Sequence, residues 1–223
     1  MRAAEYPEIT AVCVHPEHRG RGYGQILLSA IARGILARGE IPFLHLFTSN
    51  ASALALYRRQ HPIVRAVLPG KSILVSPYWD ARIGPGYDGS TPEQIREGIR
   101  QIGRCSVDII APQDSRGTGK VGLFWPHEAS EEVDPRLGPS VGTGKYGERY
   151  RANTRAYYEA ARAGVDDLAG EGVAVELWAN LEAFEPGAGI PCGSFTDCQR
   201  TTKERLDRAV MFAGPYPSKL ISY

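Results

Sequence analysis

A chain of 223 residues with 43% hydrophobic residues is long enough to bury one large core or two smaller ones. Its 26 basic residues against 25 acidic ones leave a net charge of +1, so nothing in the overall electrostatics draws it to nucleic acid or to an anionic membrane. Met1 to Tyr6 has no apolar signal core and no stretch approaches the length of a membrane span, which makes the expected location cytoplasmic.

Glu8 to Val14 is rich in β-branched residues and reads as a strand. The stretch Val12-Cys13-Val14-His15-Pro16-Glu17-His18-Arg19-Gly20-Arg21-Gly22-Tyr23-Gly24-Gln25 then joins a strand end, a basic glycine-rich turn and a helix start without a gap. Glycines at 20, 22 and 24 let the backbone turn tightly with its N–H groups on one side, and the helix adds the positive end of its dipole. The pattern is that of a phosphate cradle, with Arg19 and Arg21 adding charge where a diphosphate would sit. It is not a dinucleotide fingerprint, because the glycine spacing differs and no ribose-binding acid follows a second strand. The helix is expected from Tyr23 to about Ala37, stopped by Gly39, with Ile26, Leu27, Ala30, Ile31, Ile35 and Leu36 as one buried stripe. Ile41 to Phe47 reads as a strand, Thr48-Ser49-Asn50 as a cap, and Ala51 to Arg59 as a second helix with Ala53, Leu56 and Tyr57 inward. Such a β-turn-α-β-α unit suits a parallel pair joined by a right-handed crossover.

Arg19-x-x-Gly22-x-Gly24 after a strand ending in Val14-x-Pro16 resembles the acetyl-coenzyme-A motif of the GNAT acetyltransferase superfamily. Asn50-x-x-Ala53-x-x-Leu56-Tyr57 resembles a later motif of the same family, although Gln60-His61-Pro62 stands where the family has a Gly-Phe pair. The resemblance covers about residues 5 to 68, the coenzyme-A half of that fold. It implies acetyl-CoA as cosubstrate and a small-molecule or peptide amine as acceptor. Arg19 and the amides of Gly20, Arg21, Gly22, Tyr23, Gly24 and Gln25 would hold the diphosphate. The main chain of Val12 and Val14 would pair with pantetheine, and Asn50 would contact its arm. Glu8 resembles the glutamate that relays the amine proton, and Tyr57 the general acid beside the thioester sulfur. On the residues alone, Glu8 also reads as a solvated strand-end carboxylate and Tyr57 as a core aromatic.

From Lys71 the pattern changes. Ile73 to Tyr78 reads as a strand, Gly84 to Gly89 as a glycine-rich loop, and Thr91-Pro92-Glu93-Gln94 as a capped helix start with Ile95, Ile99 and Ile102 on one face. Val107 to Pro112 is the next strand, followed by a long Gly/Pro-rich stretch from Gly117 to Gly147. A helix from about Tyr150 to Ala169 leads to the strand Val173 to Leu181. Thr201-x-x-Glu204 then reads as a capping box for a helix to about Phe212, and Lys219 to Tyr223 as a last strand. Alternating strands and helices with single crossovers belong to a parallel α/β sheet or part of a (β/α) barrel. Cys192 and Cys198 share a loop, but the spacing of the four cysteines is poor for a metal, and none is expected.

Ile73-Leu-Val-Ser-Pro-Tyr78, Asp108-Ile-Ile-Ala-Pro-Gln-Asp114, Glu176-Leu-Trp-Ala-Asn-Leu-Glu-Ala-Phe-Glu185 and Lys219-Leu-Ile-Ser-Tyr223 together resemble an uncharacterised TIM-barrel family related to glycoside hydrolases. The expected fold is therefore α/β, with a partial GNAT-type domain over residues 1–69 and the later strands of a TIM-type barrel over 70–223. Strand alternation puts Glu176, Trp178, Asn180 and Glu182 on one face, a carboxylate row beside an indole that suits sugar binding. Asp114 and Glu182, each at the C-terminal end of its strand, are the natural pair for glycoside hydrolysis. Function reads first as an acetyl-CoA-dependent N-acyltransferase. The alternative is a carbohydrate-active hydrolase-like barrel domain, or an inactive fusion or truncated fragment. The first barrel strand presents an open edge, which the N-terminal sheet or a second copy of the chain would cover.

Overall fold

The computed structural model describes residues 9, 12–40, 72–122, 146–186 and 198–222, and the chain divides into two units, Met1–Lys71 and Ser72–Tyr223. The expected strand 41–47 and helix 51–59 lie outside the described residues, and so do Glu8, Asn50 and Tyr57.

In unit 1 a single 3-10 turn at Pro16–His18 leads through Gly20 (φ 75°) and Gly22 (φ 82°) into helix α1, Tyr23–Ala37. Its end follows from the sequence: Arg38 closes the last turn onto the carbonyls of Ile35 and Leu36, and Gly39 takes the left-handed conformation (φ 76°) that a helix terminus favours. Two sequence expectations are corrected here. Val12 to His15 form no strand ladder among the described residues. The buried face of α1 is Leu28 and Ile35, packed with Ile9, Val12 and Ala32, whereas Ile26 is 62% exposed and Leu27 and Ile31 are exposed as well. Arg33 is the one charged residue in this helix of 15, so apolar positions lie on every side and periodicity alone does not tell the core face from its opposite.

Unit 2 runs, in chain order, β1 (Leu74–Val75), the hairpin strands β2 (Ile83–Gly84) and β3 (Tyr87–Asp88), α2 (Pro92–Gly103), β4 (Ile109–Ile110), the one-turn α3 (Tyr146–Arg149), α4 (Thr154–Gly170), β5 (Glu176–Leu181), β6 (Phe184–Pro186), β7 (Cys198–Arg200), α5 (Lys203–Ala213) and β8 (Lys219–Ser222). Strands β1, β4, β5 and β8 form a parallel sheet in that order, registered Val75↔Ile110, Ile110↔Leu177 and Trp178↔Lys219. Every added strand joins on the same side. That is the order of a barrel sector; a doubly wound sheet would reverse. The fold is mixed α/β, as the alternation of elements implies.

Local chemistry sets the helix starts. Thr91 and Gln94 form a reciprocal capping box, Gln94 N–H donating to Thr91 Oγ1 at 3.2 Å and Thr91 N–H to Gln94 Oε1 at 2.9 Å, with Pro92 in the first turn. Asn153 caps α4 by accepting from Ala156 N–H at 2.8 Å. The expected box at Thr201 is displaced by one residue: Thr202 accepts from Arg205 N–H, because the Thr201 amide donates to the Ala183 carbonyl beside the β6–β7 ladder. The two antiparallel pairs, β2–β3 and β6–β7, occur where loops were expected, their strands being too short to carry a period.

Ile95, Ile99 and Ile102 of α2 meet Tyr157, Ala161, Val165 and Leu168 of α4 in a core that continues into Ile110, Leu177 and Ala179 of the sheet. The helices approach closely at Gly103 and Gly164, where a β-carbon would stand 2.2 Å from Leu168 and 2.7 Å from the Arg96 carbonyl. Along the rim Arg96 grips Asp167 through two bonds of 2.7 Å, and Arg100 and Arg104 share Glu171. The Arg104 bonds, and then that of Arg100, hold the Glu171 carboxyl down at about 2.

Candidate functional site

The basic turn of unit 1 is built by its glycines. Gly20 and Gly22 both hold positive φ, and a β-carbon at either would meet nothing within 4 Å, so the space beside them is open. Gly22 is the N-cap of α1 and offers no side-chain acceptor; its carbonyl takes the amides of Gln25 and Ile26 at 3.0 and 3.1 Å. The amides of Gly20, Arg21, Gly22, Tyr23 and Gly24 donate no hydrogen bond among the described residues. Five successive donors at the positive end of a helix are an anion site in physical terms. Arg19 is tied to it from below, Nε donating to the Val14 carbonyl at 3.1 Å, while Arg21 is exposed. Val12 is packed on the small core, and the ring of Tyr23 meets His18 edge-on at 6.3 Å. The five amides are donors of the kind that hold phosphate oxygens, and the space beside Gly20 and Gly22 is open. Glu8, Asn50 and Tyr57, the other residues the sequence put beside this turn, lie outside the described residues.

In unit 2 the structure brings Asp114 and Glu182 together at the C-terminal ends of β4 and β5. The β4–β5 pairing extends past the strands through a bridge between Gln113 and Asn180, which puts Asp114 beside the chain that leads to Glu182. Asp114 Oδ1 accepts from Glu182 N–H at 3.1 Å, and Oδ2 accepts from Arg116 Nε at 3.0 Å. Arg116 Nη2 donates to the Glu182 carbonyl, and Glu182 Oε2 accepts from Gly117 N–H at 2.5 Å. Gly117 is required here, since a β-carbon would stand 2.6 Å from the Phe184 carbonyl and 2.9 Å from Glu182 Oε2. Asp114, Arg116 and Glu182 are 0%, 2% and 1% exposed.

In this dry environment the Arg116 guanidinium bonds the Asp114 carboxylate and the Glu182 backbone carbonyl, and the two buried carboxyls titrate as a pair. Burial and the charge of Asp114 push Glu182 up to about 8. Burial also raises Asp114 against the pull of Arg116. The geometry assigns the negative charge to Asp114, which receives the guanidinium, and the proton to Glu182. The Tyr158 hydroxyl, donating to the Pro112 carbonyl at 2.9 Å, is held far above its ordinary range by burial and by Asp114. At the opposite end of β5, Glu176 accepts from Trp178 Nε1 at 2.8 Å, and Lys219 lies 4.6 Å over the indole, so this half of the carboxylate row belongs to the surface.

Arg116, the hub of the cluster, was not a sequence candidate. The one local signal for it is an arginine two residues after an aspartate at a strand end, and its burial depends on β5. No group of metal-binding side chains occurs among the described residues, and no helix among them is long and apolar enough to cross a membrane.

The family model described as FR47-like protein matches residues 1–60, and that family is related to the GNAT acetyltransferases. No curated protein matches the chain. Among solved structures, the crystal structure of 2,3-dimethylmalate lyase, a PEP mutase/isocitrate lyase superfamily member, aligns over 82% of this chain and 52% of its own, at 14% identity and a TM-score of 0.39. The chain spans about half the length of that enzyme.

Proposed function

We propose that unit 1 binds acetyl-coenzyme A through residues 19–25 and that the chain is an N-acyltransferase acting on a small-molecule or peptide amine. The observation that carries this reading is the run of five amides, Gly20 to Gly24, without an acceptor among the described residues, at a glycine-turned helix start. The FR47-like match over the same residues supports it. When bound, the coenzyme supplies the activated thioester. The amides of Gly20 to Gly24, with Arg19 and Arg21, hold its diphosphate, and Val12, Val14 and Asn50 hold the pantetheine arm. Glu8 takes the proton that the amine must lose to attack, and Tyr57 returns a proton to the sulfur as the C–S bond breaks. These assignments follow from the motif resemblance.

Titration calorimetry with coenzyme A tests the cradle. Wild type gives saturable heat, and Gly22→Val abolishes it, because a β-branched residue cannot hold φ 82° and its side chain would occupy the open space over the turn. Equal binding by the variant overturns the assignment. For the chemistry, Tyr57→Phe is expected to slow thiol release by roughly 10- to 1,000-fold while coenzyme-A affinity changes little.

A further inference from the structure

The parallel sheet of unit 2 ends in two open edges: in the order β1-β4-β5-β8, β1 and β8 have one ladder partner each among the described residues. The ladders fix which backbone groups face those edges. The amides of Ile109 and Ala111 donate to the carbonyls of Ile73 and Val75, so in an alternating strand Leu74 and Ser76 aim their amides and carbonyls away from β4. On β5 the amides of Glu176 and Asn180 donate to Asp108 and Pro112 next to it, which leaves Ala179 and Leu181 to serve β8. Leu220 and Ser222, opposite those two in the register, turn their own amides and carbonyls outward. Leu74 and Leu220 are also large apolar residues 42% and 43% exposed. The two faces of the sheet are unequal as well. Val75, Ile110, Leu177 and Ala179 pack into the core that holds α2, α4 and α5, whereas Leu74, Ile109, Trp178 and Ile221, on the other face by alternation and register, are not part of that core.

Parallel sheets occur almost only with both faces covered, and an open edge is a template for another strand. We propose that a second copy of this chain supplies both, two copies closing an eight-stranded barrel in which β8 of each pairs in parallel with β1 of the other. Each copy brings four parallel strands added on the same side, half of the eight that close such a barrel. A two-fold axis along the barrel keeps all eight strands parallel and makes the two seams identical, so neither copy keeps an edge. The face carrying Leu74, Ile109, Trp178 and Ile221 then becomes the barrel interior. Pairing β1 with β1, or β8 with β8, would leave the other edge open and that face in water. Glu176 and Lys219, 3.6 Å apart at the first residues of their strands, stay at the mouth of the barrel. The proposal concerns unit 2 alone and stands whether or not unit 1 takes coenzyme A.

The test is sedimentation velocity of the full chain from about 1 to 100 μM, with amide hydrogen exchange read by NMR at both ends of that range. A species of twice the 24.3 kDa chain mass is expected to form as concentration rises. The amides of Leu74, Ser76, Leu220 and Ser222 should be protected in it and exchange fast on dilution. Leu74→Pro and Leu220→Pro each remove one outward donor and spare the ladder bonds to β4 and β5, so each should weaken dimerisation by about tenfold or more with unchanged circular dichroism. A monomer throughout the range overturns the proposal, and so does assembly beyond two copies, which would mean that the seams do not close. A dimer that protects only one of the two edges, or that both variants leave unchanged, overturns it as well. If Leu74→Pro fails to fold, Leu220→Pro and the wild-type exchange pattern decide by the same outcomes.

Discussion

Helix α1 of unit 1 and the three long helices of unit 2 differ at their first turn. In α2, α4 and α5 a side chain, Thr91, Asn153 or Thr202, takes up an amide that the helix leaves over. In α1 a glycine stands at that position, no side chain caps, and five amides donate no hydrogen bond among the described residues. The helices differ again along their flanks: Ile95, Ile99 and Ile102 of α2 are all buried, whereas α1 leaves Tyr23, Ile26, Leu27 and Ile31 exposed. Unit 2 therefore caps its helices with its own side chains, whereas the start of α1 has no such cap among the described residues. Substitutions in unit 2 should register as stability, and those at the start of α1 as binding.

The largest contrast is expected from two arginines. Arg116→Met removes the cation between Asp114 and Glu182 and leaves a buried charge without its partner, a loss of about 3–5 kcal/mol that urea unfolding of unit 2 would report. Arg21→Met, at an exposed position, should leave unfolding within about 0.5 kcal/mol while weakening coenzyme-A binding. If both variants changed only stability, the division between the units would fail.

The next effect is one of pH. Glu182 rises from an ordinary 4.5 to about 8 on folding, so the folded chain holds a proton that the unfolded chain releases. Its stabilisation is complete below about 4.5 and is lost as pH rises through about 8. Thermal midpoints of unit 2 should fall across that window, by about 2–4 kcal/mol in free energy, and Glu182→Gln should flatten the profile. A wild-type profile that rises toward alkaline pH would place the charge on Glu182 instead. No comparable slope is expected from the described part of α1, where Arg33 is the one charged residue.

Smaller effects sharpen the same distinction. Thr91→Ala removes a cap and should cost about 1 kcal/mol of unit 2 stability without altering the heat of coenzyme-A binding. Ile26→Gln on the exposed face of α1 should change stability by less than about 0.5 kcal/mol. A loss above about 1 kcal/mol in denaturant titration would mean that this face is packed in solution.

What the sequence determined about this protein is what a few neighbouring residues can decide. The Thr91 to Gln94 box, Pro92 at the start of α2, the Ile95, Ile99, Ile102 stripe and the Gly39 stop of α1 all follow from contacts within a turn or two, and the glycine turn at 20–24 was legible for the same reason. Where the decision rests on distant partners the local pattern fell short. Thr201 carries the signature of a cap, but its amide is claimed by Ala183, and the cap moves to Thr202. Leu28 rather than Leu27 is buried because Ile9 and Val12 pack on that side of a helix apolar all round. Asp114 and Glu182 could be placed at strand ends by alternation. That both are buried around Arg116, with the charge on Asp114 and the proton on Glu182, came only from the parallel register that sets Gln113 beside Asn180 and carries Arg116 to the Glu182 backbone carbonyl 66 residues away. Local hydrogen bonds are encoded in adjacent residues, whereas burial and charge sharing depend on which strands lie side by side.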